Sequence, residues 1–163
     1  MTALPAVPAA VVCPRLGCAG CGAGLGVERV TGTLWAWVHA GVRPPGCPAL
    51  LVPDRSVCYL LHLLPAYRHA RHYLGFTETS GFLPRRLHEH ATGRGARLVT
   101  VALAAGCRFE LVRLWPGTRD LERRLKQQRA VPRLLCPACP TRAQARRLAA
   151  GQALSYPLGG GAR

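Results

Sequence analysis

Val57-Cys58-Tyr59-Leu60-Leu61-His62-Leu63 and, after Pro65-Ala66, Arg71-His72-Tyr73-Leu74-Gly75-Phe76 decide the fold. The first run is apolar, carries an aromatic and has strand length; Pro65 and Ala66 read as a turn; the second run is again of strand length. Together they predict a hairpin. Tyr59 alternates in phase with Leu61 and Leu63, so a strand sets its polar tip at the edge of an apolar face.

Outward from the hairpin the pattern stays coherent. Ser80 stands where a helix cap is expected, ahead of a helix to about Ala91 with Pro84 tolerated in its first turn. Leu98, Val101, Ala102 and Ala105 are spaced for a second helix that Gly106 ends. Phe109, Leu111 and Val112 belong to a third strand ending near Trp115. Thr118 can cap a helix over residues 119–128, and residues 141–150 read as a short basic helix. The expectation is an α+β domain. A small three-stranded antiparallel sheet is packed with helices, in the order β-β-α-α-β-α plus a C-terminal helix.

Residues 1–54 differ in texture. They are rich in Ala, Gly, Pro and Val and lack a sustained period apart from a strand-like piece around residues 34–38. They read as poorly ordered, or as a spurious extension from a mis-assigned start codon, with a small Cys-rich module as the competing reading. Residues 55–130 form the expected core; residues 131–163 hold a Cys-x-x-Cys turn, the basic helix and a flexible tail from residue 159.

The chain has 163 residues, with 22 Lys+Arg against 7 Asp+Glu, a net charge of +15. Such an excess points to a polyanionic partner, because cations displace counterions from phosphates. The chain has no Ile and no Asn, and its single Lys is Lys126, the mark of a very GC-rich genome. That bias explains Arg in place of Lys but not the shortage of acids. No apolar stretch is long enough to span a membrane, and the N-terminus lacks a secretory pattern. The expected location is the cytoplasm, where 8 Cys are reduced thiols or metal ligands rather than disulfides.

Four signatures in order resemble the GIY-YIG nuclease family over residues 56–128. Val57-Cys58-Tyr59 stands where the family has Gly-Ile-Tyr, and Tyr73-Leu74-Gly75 where it has Tyr-Ile-Gly. Arg85-Arg86-Leu87-His88-Glu89-His90 is similar to its Arg-Leu…His, and Glu122-Arg123-Arg124-Leu125-Lys126 to its Glu-x-x-Leu-Lys. The resemblance implies metal-dependent hydrolysis of DNA phosphodiesters. Glu122 would hold one divalent ion, Mg²⁺ by family pattern, and Arg86 would offset transition-state charge. Tyr59 or Tyr73 would take a proton from water, and His90 would relay it or position a tyrosine. The first Gly and Ile are replaced by Val57 and Cys58, and the gaps between signatures are somewhat long.

By spacing alone, Arg86 and His90 share one helical face, and Glu122 and Lys126 can form an ion pair. Glu122 is offset by one from Leu121 and Leu125, beside the expected buried stripe. Arg68, His69, Arg71, Arg85, Arg94, Arg97 and Lys126 are the expected DNA contacts. Cys18-Ala19-Gly20-Cys21 and Cys136-Pro137-Ala138-Cys139 each have the spacing of half a zinc site, with Cys13 or Cys47 as alternative donors. The pairs are more than a hundred residues apart, so the leading reading is a turn at 136–141 and free thiols, with zinc the alternative. The rival functions are a non-cutting nucleic-acid-binding module on the same fold and a zinc-stabilised basic regulator.

Overall fold

A computed structural model describes residues 10–41, 44–47, 50–128 and 134–140. The fold is α+β with two antiparallel three-stranded sheets and three helices. The first sheet is β1 (Ala10–Gly17), β2 (Gly24–Thr31) and β3 (Leu34–His39), a meander in that order. The second has β4 (Val57–Tyr67) at its centre, flanked by β5 (Ala70–Thr77) and β6 (Arg108–Pro116). Between β5 and β6 run a 3₁₀ turn (Ser80–Phe82), α1 (Leu83–Ala91) and α2 (Arg97–Ala104). The helix α3 (Arg119–Gln127) follows β6.

The second sheet, its two helices and α3 match the expected order β-β-α-α-β-α. The basic helix expected at 141–150 and the tail from 159 lie outside the described residues. Within the stretch 1–54 that read as poorly ordered, residues 10–39 carry a three-stranded sheet whose side chains join the core. Trp35 stacks on Phe109 with ring centroids 6.2 Å apart, and the Trp37 indole donates to the Ser80 carbonyl at 2.9 Å. Arg29 donates to the Phe109 carbonyl at 2.9 Å. One apolar cluster runs from Val11, Leu25 and Val27 through Trp35 and Trp37 to Tyr59, Leu61, Leu87 and Leu111. The sequence hid this because the partners that bury Trp35 and Trp37 lie more than forty positions away. A chain beginning at Pro53 would lack both tryptophans and the rest of the first sheet's share of that core, and would expose the residues they cover. It is expected to lack a cooperative thermal transition, and normal melting with a native near-UV circular dichroism spectrum would show the second sheet to be autonomous.

Local signals explain the remaining elements. The Thr118 hydroxyl accepts from the Leu121 amide at 3.3 Å, the expected cap of α3. Gly106, with φ +82, follows the end of α2 where a left-handed residue is needed. Ser80 does not cap α1; its hydroxyl donates to the Pro53 carbonyl instead. Pro65 lies inside β4, where the pairing is irregular between His62 and Tyr67, and the turn falls at Arg68-His69. α1 buries Leu83, Leu87 and His90 on one face. Each leucine contributes roughly 1.5–3 kcal/mol by leaving water.

The two faces of the second sheet carry different side chains. Tyr59, Leu61 and Leu63 of β4 face the main core, while Leu60 packs with Leu74, Val112, Cys136 and Cys139 on the other face. In β6 the pairing shifts between Leu60↔Arg113 and Leu61↔Leu111, and the extra residue lets Leu111 and Leu114, three apart, both face the main core. Among the described residues no helix is long and apolar enough to cross a membrane.

Candidate active site and Cys/His clusters

Tyr59, Tyr73, Arg86 and His90 meet on the main-core face of the β4–β5 hairpin, beneath α1. Tyr59 pairs with Gly75 across the ladder, and Tyr73 with Leu61, so the two rings are diagonal neighbours on one face. Their centroids are 6.2 Å apart, and the His90 ring lies 5.9 Å from Tyr59 and 5.1 Å from Tyr73. Gly75 makes this fit: a Cβ there would stand 2.2 Å from Cζ of Tyr59. Gly95 does the same for His90, whose Nδ1 would lie 2.1 Å from an added Cβ.

The hydrogen bonds set the proton positions. The Ala96 amide donates to His90 Nδ1 at 3.2 Å, so that nitrogen carries the lone pair. Burial, reinforced by Arg86, lowers the His90 pKa to about 4, so the ring is neutral near pH 7. Its proton then sits on Nε2 and is donated to the Tyr59 oxygen at 2.8 Å. The Arg86 guanidinium lies beside the same phenol and favours its ionised form. Burial is larger: it pushes the Tyr59 phenol well above the usual tyrosine range, helped by neighbouring Tyr73. Tyr59 is fully buried rather than at the core's edge, and Tyr73 is only partly buried.

Arg86 is held by Glu89 at 2.8 Å, and Arg85 reaches the same carboxylate at 3.2 Å. These ion pairs draw the Glu89 carboxyl below its usual range, Arg86 being the main cause. Arg85, Arg86 and Glu89 line a cleft with Phe76, the exposed Phe82 and Arg119. Arg119 sits 5.1 Å over the Phe76 ring. Sequence reading missed Glu89, Phe82 and Arg119.

Glu122 is the buried residue of α3, which corrects its expected place beside the stripe. Lys126 pairs with it at 2.6 Å, and the same ammonium lies 5.7 Å from the Tyr73 ring centroid. Lys126 thus links Glu122 to the tyrosine group. Of the other expected DNA contacts, Arg85 borders the cleft. Arg68 and His69 are exposed at the tip of the β4–β5 hairpin, Arg71 is exposed on β5, and Arg94 and Arg97 are exposed around the α1–α2 turn.

The two Cys-x-x-Cys pairs do not complete each other. Cys18 and Cys21 join His39 and Cys47, whereas Cys136 and Cys139 join His62 and His72, and the ligand atoms of each set lie within 4.8 Å of one another. Either cluster could bind a metal ion. Cys13 belongs to neither set. The Leu51 amide donates to Cys18 Sγ at 3.4 Å and is the main reason that thiol is lowered to about 6. Cys58 and Cys107 are buried, as small core residues should be. His39, His62 and His72 were not read as ligands, and Cys47 only as an alternative donor. The available signal was that each Cys pair still needed two donors, and His62 and His72 stand in adjacent strands. Compared with protein-family models, with curated proteins and with solved structures, the chain matches none.

Proposed function

We propose that the protein is a metal-dependent DNA endonuclease of GIY-YIG type. The observation that carries this is the convergence of Tyr59, Tyr73, His90 and Arg86, with Lys126 reaching from Glu122 to the Tyr73 ring, in a chain of net charge +15. Scattered tyrosines and an Arg86 turned to solvent would have favoured an ordinary core.

A lone carboxylate such as that of Glu122 is the kind of ligand a hard divalent ion such as Mg²⁺ takes, with water and phosphate oxygens completing its shell. Thiolates and imidazoles suit a softer ion such as zinc, so neither Cys/His cluster is the place for it. Bound at Glu122, the ion would supply Lewis-acid stabilisation of the phosphate and the leaving oxygen. Arg86 offsets the charge that grows on the phosphoryl oxygens. In its phenolate form Tyr73, the less buried of the two tyrosines, accepts the proton of the attacking water. Tyr59 and neutral His90 orient it from behind. Phe82 and Arg119 extend the same cleft for the nucleic acid. Eight cysteines without a disulfide fit a reducing compartment such as the cytoplasm.

One observation favours a second reading. The ammonium of Lys126 is the close partner of the Glu122 carboxylate and competes with any ion there, as in a module that binds DNA without cutting. Incubation of the full chain with branched, nicked, single-stranded and duplex DNA plus Mg²⁺ decides between them. Cleavage of at least one substrate, stopped by chelation, is expected. Tight binding without cleavage of any of them would establish the second reading. In the same assay log affinity should fall against log salt with a slope of several units, as when about five or more phosphates are neutralised. A flat dependence would make the charge a by-product of composition.

A further inference from the structure

We infer that the chain carries two separate structural zinc sites, one in each sheet. Cys18, Cys21, His39 and Cys47 form the first, and His62, His72, Cys136 and Cys139 the second. Neither site depends on nuclease activity.

The geometry is that of two tetrahedra. Zinc bonds of about 2.3 Å to sulfur and about 2.0–2.1 Å to nitrogen place tetrahedral ligands about 3.8 Å apart for S···S, 3.6 Å for S···N and 3.3 Å for N···N. In the first set Cys18 Sγ lies 3.8 Å from Cys47 Sγ, and His39 Nε2 lies 3.5 Å from Cys21 Sγ and 3.6 Å from Cys47 Sγ. In the second, His62 Nδ1 lies 3.2 Å from His72 Nε2, 3.3 Å from Cys136 Sγ and 3.7 Å from Cys139 Sγ. His72 Nε2 lies 3.2 Å from Cys139 Sγ. A disulfide would draw two sulfurs to about 2.05 Å, and none of the eight cysteines is in one.

Backbone geometry supports the same reading. Both Cys-x-x-Cys segments make the same tight turn: the Cys21 amide reaches the Cys18 carbonyl, and the Cys139 amide the Cys136 carbonyl, each at 3.3 Å. The turn after Cys18 closes further through the Gly22 amide at 2.7 Å. The Leu51 amide aimed at Cys18 Sγ suits a thiolate acceptor. Neither set contains a carboxylate, which disfavours Mg²⁺ or Ca²⁺, and a closed four-ligand S/N tetrahedron selects zinc.

The two sites do different jobs. The first fastens the 18–22 turn and Cys47 to the end of β3. The second pins residues 134–140 across β4 and β5, where Cys136 and Cys139 cover Leu60, Leu74 and Val112. This is the reverse side of the strands that carry Tyr59 and Tyr73.

The test uses the untagged full chain and elemental analysis. About two zinc ions per chain are expected, with one lost in Cys47→Ser, one in Cys139→Ser and both in the double variant. Folded wild-type protein with no bound zinc after exposure to excess zinc would overturn the inference, as would single variants that each lose both ions or none. Should a variant fail to fold, wild-type protein loaded with Co²⁺ remains decisive. The intense visible absorption and thiolate charge-transfer bands of tetrahedral cobalt are expected, and a weak octahedral spectrum would refute the sites.

Discussion

Glu122→Gln should lower DNA cleavage by at least about a hundredfold, the usual scale for losing one charge-stabilising group, while affinity for DNA changes little. The substitution keeps shape and hydrogen bonding but removes the hard anionic oxygen that a divalent ion needs. It also leaves the charge of Lys126 uncompensated beside Tyr73, although the amide oxygen can still accept its hydrogen bond. DNA binding should therefore hold or rise slightly. Lys126 is half exposed but Glu122 is buried, so the melting temperature is measured alongside as the control for lost stability. Single-turnover cleavage at the wild-type rate would remove Glu122 from the chemistry.

Gly75→Ala is expected to destabilise the fold by about 3 kcal/mol or more, at the upper end for overpacking a core. A Cβ at this position would stand 2.2 Å from Cζ, 2.4 Å from Oη and 2.6 Å from Cε2 of Tyr59. Tyr59 is fully buried under α1 and held by His90, so its ring has nowhere to swing. Either the hairpin opens or the Tyr59–His90 bond breaks. The melting temperature of a chain of this size should then drop by roughly 10 °C. Gly81→Ala is the control: nothing lies within 4 Å of its added Cβ, and its change should stay within about 0.5 kcal/mol. Equal melting of the two variants would contradict the packing described.

The glycine shows what the sequence could and could not reveal. Its place after Tyr73 was legible as part of a pattern; the reason, the Tyr59 ring filling the space a Cβ would take, is a cross-strand contact that linear spacing does not contain. The hairpin, α1, α2 and the Thr118 cap of α3 were legible because each rests on local period or capping chemistry. The first sheet was not, since its burial comes from Trp35 and Trp37 meeting residues more than forty positions away. Glu122 was placed beside the buried stripe by helical offset, yet it is buried, because β5 covers a side of α3 that the leucines alone do not define. The Cys pairs announced half-sites, but spacing could not say which histidines would complete them.

The β4–β5 ribbon carries phenols on one side and imidazoles on the other, and this constrains how the gene can change. Side chains on a strand alternate with period two, so inserting or deleting one residue between Tyr59 and His62 would send either the phenol toward the cysteines or the imidazole toward Arg86. A single-codon indel there would break one cluster or the other. Length variation in this part of the molecule is therefore confined to paired codons, or to the Arg68-His69 tip, where added residues leave the phase of both strands untouched.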